Sequence, residues 1–151
     1  MMRTPLPFVP SDGGRAAAGF KGKTGDCACR ALAIASKHPY MECYELLLEL
    51  SLRERRSAKD RSHPRTGVWV PTFRKAAAAM GLLWTPTKLI GSPETVHLAE
   101  GELPMGRLIC RVSRHYVAVV DGVVHDTHDP CRDGDRIVYG FWRRPWASAG
   151  M

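Results

Sequence analysis

A chain of 151 residues, 44% hydrophobic and 25% charged, is long enough to bury one core without metal or disulfide staples, which sets aside a fibrous or disordered reading. It holds no apolar run of 18 residues and no signal-peptide pattern behind its start, so the expectation is no membrane and a cytoplasmic location. The net charge of +7 admits an acidic partner, yet the basic run from Arg53 to Arg61 has no aromatic interleaved and carries no nucleic-acid module signature, so it reads as a solvated loop and argues against nucleic acid.

A single domain, 1–151, is expected. Residues 1–23 carry Pro5, Pro7, Pro10 and a Gly/Ala-rich stretch, and read as an irregular arm laid over that domain. Asp26 is the N-cap candidate for a first helix running to about Lys37, and Pro39 ends it. Apolar residues at Tyr40, Cys43, Tyr44, Leu47 and Leu48 predict a second helix over 40–55. The charged stretch 55–67, with Pro64 and Gly67, is predicted to be a loop. A third helix is predicted over Thr72–Met80, with Pro71 near its first turn and Gly81 closing it. An extended segment is expected within 84–92, followed by strands over 107–112, 115–120, 123–127 and 136–142. Helices first and an antiparallel sheet second is an α+β arrangement.

The five cysteines, Cys27, Cys29, Cys43, Cys110 and Cys131, show no framework spacing and are expected to be free thiols. Cys27 stands apart because it opens the first helix, where unpaired N–H groups favour a thiolate. Asp121-Gly122 between two apolar runs predicts a two-residue hairpin turn. That turn sets Val120 against Val123, Val117 against Asp126 and His115 against His128. Alternation then puts His115 and Asp126 on one face as diagonal neighbours, within side-chain reach. Asp129 points the other way unless the strand ends early, and is the substitute carboxylate.

Cys27, His115 and Asp126 together form the set a nucleophilic site needs. The thiolate attacks an acyl carbon, the imidazole holds the ion pair and returns a proton, and the carboxylate fixes the imidazole's tautomer. The Cys27 N–H is a natural oxyanion donor. A zinc reading using Cys27, Cys29, His125, His128 and Cys131 is weaker. The cysteine pair is Cys-x-Cys, and alternation splits the two histidines between faces, so no metal is expected.

Gly25-Asp26-Cys27 ahead of a small-residue helix, His115-Tyr116-Val117-Ala118-Val119 on a strand and a following Asp resemble the papain-like cysteine peptidase superfamily. The nearest branch is the compact bacterial peptidases related to the bacteriocin-processing group. The stretches Gly13–Gly22 and Val123–Asp129 also look like a set of phage and bacterial proteins. The resemblance implies a papain-like fold with Cys27 as nucleophile, His115 as base and Asp126 as third member. It further implies a peptide or protein substrate, hydrolysis or acyl transfer, and no cofactor. Papain-like enzymes place a Gln about where Lys21 stands here, and this chain contains neither Gln nor Asn. Lys21, Lys23 or Thr24 is left to complete the oxyanion hole. The rival reading is a papain-like module without turnover that binds a host protein.

Overall fold

The computed structural model of the chain describes residues 3–22, 25–57, 59–88 and 95–145. In chain order these form β1 (Phe8–Pro10), α1 (Cys27–Ser36), α2 (Tyr40–Leu52), α3 (Val70–Ala79), β2 (Leu83–Pro86), β3 (Val96–His97), β4 (Arg107–Val112), β5 (His115–Val120) and β6 (Val123–Asp126). A 3₁₀ turn (Arg132–Gly134), β7 (Ile137–Val138) and β8 (Gly140–Arg143) follow. Six strands make one sheet in the order β1-β6-β5-β4-β8-β2, and β3 pairs with β7 beside it. The architecture is mixed α+β, with three helices preceding most of the sheet. Among the described residues no helix is long and apolar enough to cross a membrane.

The central strands are buried on both faces, which explains why Leu108–Cys110 of β4 and Tyr116–Val119 of β5 run without polar alternation, with Arg107, Arg111 and His115 only half-buried. Ile109, Tyr116, Ala118 and Trp142 face the helices, packing with Leu32, Leu47, Phe73 and Ala76. Leu108, Cys110, Val112, Val117, Val119 and Val124 face the other way, under Leu6, Leu98, Cys131 and Val138. On the helical side Phe73 stacks on Tyr116 at 4.2 Å between ring centroids, and α1 packs on β5.

The central hairpin has the predicted register: Val120 opposes Val123, Val119 opposes Val124 and Ala118 opposes His125. Asp121 (φ 48°) and Gly122 (φ 78°) are both left-handed, as a type I′ turn requires. Gly81 (φ 82°) closes α3, with its N–H on Ala78 and that of Leu82 on Ala77, a Schellman ending.

Several expectations need correction. The segment 1–23 is not wholly irregular, because Phe8–Pro10 pairs in parallel with Val124–Asp126. Helix α2 stops at Leu52, ahead of the charged run, and α3 starts two residues early, at Val70. The expected strand over 136–142 is two strands, because Ile137–Val138 pairs with β3 while Gly140–Arg143 pairs with β4 and β2. Asp26 occupies the N-cap position of α1, but its side chain caps nothing.

Gly140 sits where a Cβ would lie 2.2 Å from the Trp84 ring and 2.8 Å from the Thr85 carbonyl. Gly140→Ala is therefore expected to force β2 away from β8 and lower stability by about 1–3 kcal/mol. Urea denaturation followed by tryptophan fluorescence measures it.

Candidate active site

Cys27 is the first residue of α1, His115 the first of β5 and Asp126 the last of β6. Antiparallel pairing brings the start of β5 and the end of β6 to the same end of the sheet, where α1 begins. The approach to α1 is tight. A Cβ on Gly25 would lie 2.7 Å from the Arg65 carbonyl, so the motif's glycine lets residues 65–66 pass directly against the backbone just ahead of Cys27.

Asp26, 2% exposed, turns its carboxylate inward. Oδ1 accepts from Arg30 Nε at 3.0 Å, and Oδ2 accepts from the Tyr40 hydroxyl at 2.5 Å and pairs with Arg15 at 3.2 Å. The Arg30 guanidinium, itself 3% exposed, also donates to Asp126 Oδ1 at 2.8 Å and to the Thr127 hydroxyl at 3.2 Å. The Thr127 N–H donates to the same Asp126 oxygen at 2.7 Å. The other Asp126 oxygen lies 2.6 Å from His115 Nε2. The Cys27 thiol is the other group that His115 acts on, through its side chain and its charge. With Nε2 facing Asp126, Nδ1 is the nitrogen left for sulfur.

The electrostatics follow from this row of partners. Burial pushes the Asp126 carboxyl up, but hydrogen bonding and charge from His115, the Thr127 N–H and Arg30 hold it below the usual carboxylate value. An ionised carboxylate only accepts, so Nε2 carries a proton and donates. Burial pulls His115 down, yet its bonds to Asp126 and Cys27 and the charge of both lift it to about 9. Burial likewise opposes the Cys27 thiolate. The bond to His115, that ring's charge, the Tyr116 backbone N–H and Arg30 outweigh it, and the thiol falls below its ordinary value. Burial lifts the other four cysteines, Cys43 to about 11 and Cys131 to about 12. Cys27 is also the one that is only partly buried. The arrangement can generate a nucleophilic sulfur beside a proton donor.

The structure thus brings Cys27, His115 and Asp126 together. It does not bring Asp129 to His115: that carboxylate is exposed and accepts the Cys131 backbone N–H at 2.9 Å. Lys21 is exposed, with its carbonyl accepting from Arg65 at 3.0 Å, and Thr24 and Lys23 lie outside the described residues. Within α1 the first hydrogen-bonded amide is that of Arg30, to the Asp26 carbonyl, so the Cys27 N–H at the helix start has no partner in the helix ladder.

His115, Asp126 and His128 hold ligand atoms within 4.8 Å of one another, the His128 ring tilted over His115 at 5.6 Å between centroids. Two histidines and a carboxylate are a donor set for zinc or iron. Here the Nε2 lone pair carries a proton and Arg30 already occupies Asp126, so a dication has to displace both. The zinc set with Cys29 and Cys131 does not assemble, because those thiols lie in cores on opposite faces of the sheet.

Comparison of the chain with protein-family models, curated proteins and solved structures gives no match.

Arg30, Tyr40, Arg15 and the Tyr116 N–H are the contributors that sequence reasoning missed. An Asp26–Arg30 pair at i,i+4 was a signal for one of them. The link from Arg30 to Asp126 crosses 96 residues and had none. Arg30→Met is expected to strand two buried carboxylates and cost about 3–5 kcal/mol, with Arg30→Lys retaining part of it. Chemical denaturation of the two variants checks the order.

Proposed function

We propose that the chain is a cysteine-nucleophile hydrolase with a papain-like arrangement, acting on an amide, isopeptide or thioester carbonyl of a peptide or protein substrate. The observation that carries this is the row Cys27–His115–Asp126, in which His115 is hydrogen-bonded to Asp126 and Cys27, alone among five cysteines, is shifted toward the thiolate. The family likeness rests on the motifs around Cys27 and His115. The phage-like stretches make a phage or prophage protein working in the cytoplasm the natural setting. No cofactor is called for.

In this reading the Cys27 sulfur adds to the carbonyl carbon, and the oxygen takes the negative charge beside the Cys27 N–H. His115 passes its proton to the leaving amine as the carbon–nitrogen bond breaks, leaving a thioacyl-enzyme. The now neutral imidazole accepts a proton from water, the hydroxide adds to the thioester, and the thiolate leaves as the carboxylic acid forms. An amine in place of water gives acyl transfer. Asp126 holds the ring through each step, and Arg30 holds Asp126.

A second reading draws on the absence of Gln and Asn, which leaves no amide side chain for the oxyanion hole. The domain then binds a host protein without turnover, and a Cys27 indifferent to its neighbours is the sign of it.

The pH dependence separates the two. Cys27 is lowered and His115 is raised to about 9, so thiolate and imidazolium coexist between those values. Iodoacetamide is expected to label Cys27 alone, starting below the ordinary thiol value of 9.0 and continuing through it. In His115→Ala the labelling shifts up toward that ordinary value. Labelling that rises only above about pH 8 and ignores the substitution sinks the enzyme reading.

With an amide substrate, formation of the thioacyl-enzyme is expected to fall above about pH 9, as His115 gives up the proton that it passes to the leaving amine. Cys27→Ala abolishes the covalent adduct. Asp126→Asn slows turnover by about 10²–10⁴-fold, the range for losing general acid–base catalysis. Stopped-flow and intact-mass measurements follow these steps.

A further inference from the structure

A cleft of about 400 Å³ opens between the end of α2 and the start of α3. Its wall includes Leu50, Arg53, Glu54, Arg55, Trp69 and Lys75, none of which belongs to the Cys27 site. The volume suits one small ligand.

Three cations face a single carboxylate there. The oxygens of Glu54 are occupied, one by the Ser62 N–H at 2.9 Å and the other by the Thr72 hydroxyl. Arg53 pairs outward with Glu49 at 2.6 Å. Arg55 and Lys75 are exposed and have no carboxylate partner among the described residues.

The aromatic that the basic run lacks in sequence is supplied by the fold. Trp69 is 46% exposed, and the Arg56 guanidinium lies 4.4 Å from its ring centroid. Trp69 itself lines the cleft and Arg56 does not. The position of Trp69 is fixed by its backbone N–H on Ser62 Oγ at 2.8 Å, and its carbonyl accepts the first helical bond of α3, from Phe73.

A half-exposed indole in the lining, beside cations without a carboxylate partner, fits a ligand that is planar at one end and anionic at the other. We propose that this cleft binds a nucleotide unit, its base stacked on Trp69 and its phosphate held by Arg55 and Lys75, with Arg53 at the rim. An acidic peptide satisfies the cations but leaves the indole unused. Free nucleoside phosphate and one nucleotide of a single strand share the required chemistry.

The test is calorimetric titration of the full chain with AMP, adenosine and inorganic pyrophosphate, beside anisotropy of a labelled single-stranded decanucleotide. AMP is expected to bind more tightly than adenosine or pyrophosphate. Trp69→Leu is expected to weaken AMP or the strand about tenfold or more, within the range for one base–aromatic stack. Arg55→Ala with Lys75→Ala is expected to weaken binding further and flatten its salt dependence. A strand that binds no better than AMP points to the free nucleotide; a much tighter strand points to nucleic acid.

Pyrophosphate equalling AMP with Trp69→Leu unaltered overturns the proposal, as does a polyglutamate peptide equalling the strand, or no binding at millimolar ligand. All three residues are exposed, and circular dichroism verifies that the variants fold. Cys27 labelling is expected to be unchanged in them, so failure here and failure of the hydrolase reading are separate results.

Discussion

Among the described residues, Arg30 is the one side chain that hydrogen-bonds both Asp26, at the start of α1, and Asp126, at the end of β6. A guanidinium can do this because it is a planar fork whose Nε and Nη donors reach different acceptors, whereas an ammonium is a point charge on a flexible stem. Burying three such charges is costly unless every one is paired. The pairing therefore dictates where the helix start sits relative to the strand end, and with it the separation of Cys27 from His115. Asp126 is held on both sides. One oxygen is committed to Arg30 and the Thr127 N–H, so the other is presented to the imidazole in a fixed direction. The guanidinium thus acts on the thiol through two intervening residues.

The same force drives all five cysteines in one direction, and only local partners reverse it. Burial disfavours every thiolate here. Cys110 has no opposing donor, the bonds to Cys29 and Cys43 are too few to overcome burial, and the Asp129 carboxylate beside Cys131 adds to it. Cys27 meets an imidazole, a strand N–H and a nearby guanidinium, and the balance changes sign.

The hairpin was the most legible part of the chain, because Asp121-Gly122 sets a register by itself and register fixes which residues share a face. From that parity alone Asp126 came out as the neighbour of His115. What stayed hidden depends on contacts distant in sequence. The parallel pairing of Phe8–Pro10 with β6 joins segments more than 100 residues apart, and Pro10 disguises it as coil. The break at Tyr139 reflects two different pairing partners, β3 on one side and β4 with β2 on the other. Asp26 fits the N-cap pattern, but two arginines and a tyrosine draw its carboxylate away from the helix amides. The meeting of Arg56 and Trp69 has the same origin, since only the fold of the 55–67 loop brings them into contact.

The buried row also bears on how the proposed chemistry could proceed in a low-dielectric setting. Arg15, Asp26, Arg30 and Asp126 alternate in sign and sum to zero. A thiol with a neutral imidazole adds nothing, and a thiolate with an imidazolium adds one charge of each sign. When sulfur attacks a carbonyl the negative charge moves to oxygen while the imidazolium remains, and when the leaving amine takes the proton both charges vanish together. Each step therefore relocates charge without creating a net one, which is the condition under which fixed dipoles and ion pairs help most and reorganise least. Replacing Asp126 or Arg30 alone breaks that neutrality, so their contribution to folding and their contribution to the reactivity of Cys27 have one electrostatic cause.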